Sequence, residues 1–244
     1  MNKLFIAIVF FLCSLNFNTK SNAQYFSAKD KSRLYYMSEL SAHKGHIKKY
    51  STEIYFDVNQ NKNGWAAIPD SRYIISNLTF DKNGDITSLE MFNHMEDTLI
   101  TTHYTYKKLY ENNYAISREN KPFGTISIKL INDSTLTITQ TDKDGQIVSI
   151  STSEFNQQLQ RIVNNSKIYS GDGIISHNLY GYVYDEYGFA FSQYYVDMLQ
   201  EGLETITNTQ LESDNKGNTT KALSSSDNSD TTLAIYSYEY YDNN

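Results

Sequence analysis

TFDKNGDITSLEMF, residues 79–92, sets Asp81, Asn83 and Asp85 at every second position, as the first ligands of a calcium loop are set. A loop of the EF-hand kind also needs Gly at its sixth position for the bend and a bidentate Glu at its twelfth. Counted from Asp81, those positions hold Ile86 and Phe92, so both features are missing. The stretch recurs in reduced form as TDKDGQI at 141–147 and YDEYGFA at 184–190. What persists is an Asp with a Gly three residues on: Asp81 and Gly84, Asp142 and Gly145, Asp185 and Gly188. Asp at the head of a type I turn accepts hydrogen bonds from the following amides, and Gly at the fourth position accepts positive φ. The pattern predicts structural turns between strands.

Strands are expected on either side of those turns. In GTISIKLIN, Ile126, Ile128 and Leu130 share one face with Ser127 and Lys129 on the other, and STLTITQT repeats the alternation with Leu136 and Ile138. Asn132, Asp133 and Ser134 between them are turn residues, so the two runs read as a hairpin. Similar runs follow one another along most of the chain. Composition agrees: 21 tyrosines and only two prolines suit pleated, half-buried surfaces. The expected fold is all-β, an antiparallel meander of successive hairpins forming an open sheet or partial barrel, with at most one or two short helices. One helix candidate spans residues 29–45; residues 153–164 fit helix and strand equally.

The chain opens with Lys3, an apolar run from Leu4 to about Leu15, and Ser21-Asn22-Ala23, the order of a secretory signal peptide. Four segments are expected: a signal peptide at 1–23, a β-meander domain at 24–210, a polar flexible loop at 211–232 and a C-terminal strand at 233–244 that returns to the sheet. Cys13, the only cysteine, falls within the signal segment, so the mature chain is expected to rely on packing and pairing without disulfides. A net charge of −7 disfavours nucleic acid as a partner. No second apolar run is long enough for a transmembrane helix. A small outer-membrane barrel is set aside because the alternating polar faces leave no broad lipid-facing band.

Chemical motifs are sparse. Asp57, Asn59 and Asn61 form a second calcium-like series, but Lys62 stands where Gly is needed and Ile68 where Glu is needed, so a hairpin loop is the plainer reading. His43 and His46 flank a Gly that weakens any helix aligning them, and His94 and His103 are expected to face one another across a hairpin. Ser176 and His177 are adjacent and point to opposite strand faces, which rules them out as a nucleophile–base pair. Trp65, Tyr180, Tyr182 and Tyr184 form a candidate aromatic binding face, competing with a reading as sheet-stabilising ladders. No catalytic residue and no cofactor is assigned.

The repeated [YFT]-D-x-x-G turn resembles the YD repeat of secreted RHS-like proteins of Bacteroidetes-type bacteria. The segment GHIKKYSTEIYFD, through Gly45, Ile47, Lys48, Glu53, Tyr55 and Asp57, follows the stretch that precedes the first such turn in those proteins. The resemblance covers roughly residues 40–109 and implies an extracytoplasmic β-repeat architecture without catalytic residues. The functional expectation is an exported, non-catalytic binding or interaction module of the periplasm or cell surface, with an envelope protein or glycan as partner. Two alternatives stand beside it. One is an immunity-type protein neutralising an exported toxin; the other is a carbohydrate-active enzyme with paired carboxylates.

Overall fold

The computed structural model describes residues 45–241 apart from 63, 70, 96–97, 111, 157, 159, 201 and 227–228. The segment expected to be a signal peptide, the helix candidate at 29–45 up to its last residue, and His43 therefore lie outside the described residues. Every regular element among the described residues is a strand. In chain order these are β1 (Ile47–Tyr55), β2 (Val58–Asn61), β3 (Gly64–Ala67), β4 (Tyr73–Phe80), β5 (Ile86–Met95) and β6 (Thr98–Tyr110). They continue with β7 (Asn113–Arg118), β8 (Lys121–Asn132), β9 (Thr135–Asp142), β10 (Ile147–Phe155) and β11 (Arg161–Ser170). The last five are β12 (Gly173–Tyr184), β13 (Ala190–Asp197), β14 (Gly202–Ser213), β15 (Thr219–Ser226) and β16 (Ser229–Tyr240).

Each strand from β4 to β15 pairs antiparallel with its successor, and β1 then pairs with both β4 and β16. The meander thus closes into a 14-strand barrel, with β2 and β3 as a separate hairpin. This corrects the expected open sheet or partial barrel. Closure pairs Tyr50 with Tyr238 and Ser51 with Ser237, and it leaves no unpaired edge in the barrel wall. Two local expectations change as well. The described residues of 153–164 are strand, turn and strand, because Asn156 caps the amides of Gln158 and Gln160 between β10 and β11. Residues 211–232, expected to be a flexible loop, instead supply the end of β14, all of β15 and the start of β16. There the polar side chains are not a loop signature but parts of paired strands: Ser224 and Ser226 share the inner face with the fully buried Ala222, and Leu233 is buried on the outer face.

The registers sort the wall into two faces. Tyr50, Leu78, Leu89 and Tyr104 lie in one cross-strand row, and Tyr114–Ile126 and Ile128–Ile138 continue that face. Both buried clusters occupy it, so it faces the barrel interior. One cluster gathers Ile47, Tyr50, Leu78, Phe80, Ile86, Phe189, Ala190 and neighbours; the other gathers Tyr114, Ile116, Ile126, Ile128, Leu136, Ile138 and Phe155. Tyr106 packs against both and links them. The opposite face of β8 and β9 carries Thr125, Ser127, Lys129, Thr135, Thr137 and Thr139 outward, as the period-two pattern requires.

Candidate functional site

The D-x-x-G stretches form one turn, repeated atom for atom. Asp81 Oδ1 accepts the amides of Asn83 at 2.7 Å and Asp85 at 3.0 Å, the Gly84 amide donates to the Asp81 carbonyl at 3.0 Å, and Gly84 sits at φ +80°. Asp142 holds the amides of Asp144 and Gln146, and Asp185 those of Tyr187 and Phe189, each with its Gly at positive φ. A further copy, Asp214 with Gly217, lies within the segment expected to be a loop, and its sequence, DNKG, matches the pattern. Asp85 does not turn toward a shared ion site with Asp81. It is buried, and accepts a hydrogen bond from Tyr114 Oη at 2.7 Å and an ion pair from Lys108 Nζ at 2.7 Å.

Because strand direction alternates, the turns at 81–85, 156–160, 185–189 and 214–218 share one end of the barrel with both chain crossings, where the Tyr241 amide donates to the His46 carbonyl at 2.8 Å. The turn at 142–146 lies at the other end. The two ends differ in what their turns do. At the first end the residues just after each turn fold inward: Asp85 is 6% exposed, Gln160 8%, Phe189 4% and Asn218 0%. At the second, Gln146 in the equivalent place is exposed, as is Ile147 after it. The first end is sealed by its own turns, and further bonds lock the seal. Tyr240 Oη donates to Asp214 Oδ2 at 2.6 Å, Asn218 Nδ2 donates to Tyr240 Oη at 2.6 Å, and Tyr184 Oη donates to the Arg161 carbonyl at 2.7 Å. Burial, aided by the Asp214 hydrogen bond, pushes the Tyr240 phenol up to about 12. For Asp214 burial acts to raise the pKa, but the bonds from Tyr240, Asn218 and Lys216 outweigh it and hold the carboxyl below its ordinary value.

Above the seal the interior changes character. A row on the inner face runs Ser153, Asn164, Tyr180, Tyr195, Glu204 across β10 to β14, with Ser151, Ser166, Asn178 and Asp197 as the adjacent row. These side chains bond to one another. Asn164 Oδ1 accepts from Ser151 at 2.6 Å and Ser153 at 3.1 Å, Asn178 Nδ2 donates to Ser176 at 3.0 Å, and Tyr195 Oη donates to Asn178 Oδ1 at 3.2 Å. The Tyr180 and Tyr195 rings lie 5.2 Å apart, tilted by 44°. Eight strands make a barrel that side chains just fill, so a ring this wide leaves inner wall exposed to water wherever no core packs against it. Polar inner side chains answer that condition, and most of these are half-buried rather than sealed.

The candidate aromatic face is divided. Tyr180, Tyr182 and Tyr184 alternate onto the inner side of β12; Tyr182 is buried, and Tyr184 packs against the sealed-end core. Trp65 belongs to the β2–β3 hairpin, which contacts β16 apart from that wall, and it does not join them. Asp57 is taken by Arg72, whose Nη2 and Nε reach its carboxylate at 3.1 and 3.2 Å; that contact draws the carboxyl below its usual range. Asn59 and Asn61 pair with Ala66 and Gly64 inside the hairpin. Among the described residues no group of three or more His, Cys, Asp or Glu is placed to hold a metal. His94 pairs with Leu99 and His103 with Glu90, so the two histidines do not face each other as expected. Of the inward carboxylates in these rows, Asp197 caps the amides of Leu199 and Gln200, and Glu204 accepts a hydrogen bond from Ser226.

No known family model and no curated protein matches the chain. A crystal structure of a porin-like protein from Bacteroides uniformis shares 13% identity, covering 79% of this chain and 98% of that one, at a TM-score of 0.44. A likeness of that size transfers neither fold nor function.

Proposed function

We propose that the chain is an exported, non-catalytic β-barrel that serves as a binding module in the periplasm or at the cell surface, admitting its ligand through the unsealed end. One observation carries the reading: turns of one design close the first end, while the inner wall toward the other end is polar and half-exposed. Such a wall has no packing role to explain it, and buried polar groups are retained at a cost unless they bond or meet water. Export rests on the N-terminal stretch read as a signal peptide. Kinship to YD-repeat proteins is part of the proposal, supported by the repeated D-x-x-G turns. The outer face supports an aqueous setting, since Glu53, Glu90, His103 and Lys167 point outward from the middle of their strands. A Lys at the midplane of a bilayer costs about 2–4 kcal/mol.

Thiol reactivity tests the open end. With Cys13 replaced by Ser, the single variants Ser166→Cys on the polar wall and Ala190→Cys at the seal give sole cysteines in opposite settings. Ser166→Cys is expected to react with a small maleimide in the folded protein, and Ala190→Cys only after denaturation. Equal inertness of both folded variants would refute an open, wet interior.

A further inference from the structure

Resting on that open-ended reading, we infer that the inner wall of β10 to β14 binds a neutral, hydroxyl-rich ligand, an oligosaccharide by its chemistry. Four features of the wall select this class. Its groups are hydroxyls and amides, which both donate and accept, as sugar hydroxyls do. Asn164 accepts from Ser151 and Ser153 through Oδ1 alone, so its Nδ2 hydrogens remain to donate among the described residues. Asn178 spends one Nδ2 hydrogen on Ser176 and keeps the other. Tyr180 and Tyr195 supply flat apolar faces with polar tips, 5.2 Å apart, on which the C–H face of a pyranose can stack.

Other ligand classes fit less well. The two inner rows contain no Lys or Arg to hold an anion. Their carboxylates, Asp197 and Glu204, are already engaged by turn amides and by Ser226, which leaves little for a cation. An apolar ligand would meet Ser and Tyr hydroxyls and Asn amides in place of the Leu and Ile of the neighbouring cluster. A folded protein surface cannot reach residues on the inside of a closed wall, whereas an extended glycan chain can enter from the end.

The test measures protection and affinity in the same full-length protein. The Ser166→Cys chain is labelled with maleimide in the presence of neutral hexasaccharides (β-1,4-glucan, α-1,4-glucan and chitin fragments) at millimolar concentration, and calorimetry is run on the cysteine-free parent. At least one hexasaccharide is expected to slow labelling and to bind. Tyr195→Ala and Asn178→Ala are each expected to weaken it about tenfold while leaving the urea midpoint within the range of a surface change. If Ser166→Cys labels readily but no hexasaccharide protects it or binds, the oligosaccharide inference is overturned and the open barrel stands. If Ser166→Cys is inert, both fall. Binding that Tyr195→Ala and Asn178→Ala leave intact would also overturn the inference, because the sugar would then sit elsewhere.

Discussion

Removing the carboxylate at Asp214 should cost far more than removing the one at Asp142, although the two turns are built alike. Asp142→Ala loses two amide caps, to Asp144 at 2.9 Å and Gln146 at 2.8 Å, in an exposed turn at the open end. Losing a cap of this kind costs about 1 kcal/mol. Asp214→Ala loses the same two caps, to Lys216 and Asn218, and also the Tyr240 hydroxyl at 2.6 Å and the Asn218 side chain at 3.3 Å. Hydrogen bonds to a charged group are worth about 1.5–3 kcal/mol, and the lower figure applies at this partly solvated site. Asn218 is fully buried and its Nδ2 loses this acceptor, which adds a further fraction. The sum is about 3 kcal/mol against about 1. With a urea m-value of about 3 kcal/mol/M, the midpoints should fall by about 1 M and about 0.3 M. Urea titrations followed by far-UV circular dichroism separate these values, provided m is unchanged. Equal shifts for the two variants would refute the idea that one set of turns seals the barrel and the other does not.

Three further outcomes follow from the same geometry. The Tyr240 phenol titrates higher folded than unfolded, so its stabilisation is complete below pH 10 and is lost as pH rises toward about 12. Discounted for solvent screening, the shift is worth on the order of 1 kcal/mol; Tyr240→Phe should flatten the alkaline limb of a stability–pH curve by that amount, and an unchanged limb would contradict it. Ile138→Ala, on the inner face of β9, should cost about 2–4 kcal/mol in urea titration, while Thr137→Ala on the outer face stays within about 0.5 kcal/mol; a reversed order would mean the wall is inside out. Lys108→Met strips the buried Asp85 carboxylate of its cation while Tyr114 still donates, so a loss of about 2 kcal/mol is expected by the same titration, and no loss would show that Asp85 is solvated.

Local features of this fold were readable from the chain because their causes are local. A D-x-x-G turn is held by bonds within five residues, and the Ile126–Ile138 hairpin by alternation on two adjacent strands, so both follow from short stretches. Closure is different in kind. The pairing of Ser51 with Ser237 joins residues from opposite ends of the chain, and neither carries a mark that names the other. Alternation also cannot say which face is inside. On β8 and β9 the inner face is Ile and Leu, whereas on β10 to β13 it is Ser, Asn and Tyr, so the polar rows resembled a solvated exterior. The same inversion hid β15, where Ser224, Ala222 and Ser226 occupy the inner side, and hid the matching turn at Asp214. Tyr195 and Asn178, central to the candidate site, lacked any motif; only the register of β12 against β13 brings them together.

Closure itself is open to direct trial. Cys13 is the one cysteine of the chain, so with Cys13 replaced by Ser, Ser51→Cys with Ser237→Cys creates a single possible intramolecular disulfide. These residues are cross-strand partners on the outer face of β1 and β16, and such partners lie about 4.5–5.5 Å apart between Cα atoms, within disulfide reach. Mild oxidation should give a monomeric, faster-migrating species on non-reducing gels and a higher unfolding midpoint. If the two thiols stay free in the folded protein, or link only between molecules, β1 and β16 are the two edges of an open sheet, and the barrel does not exist.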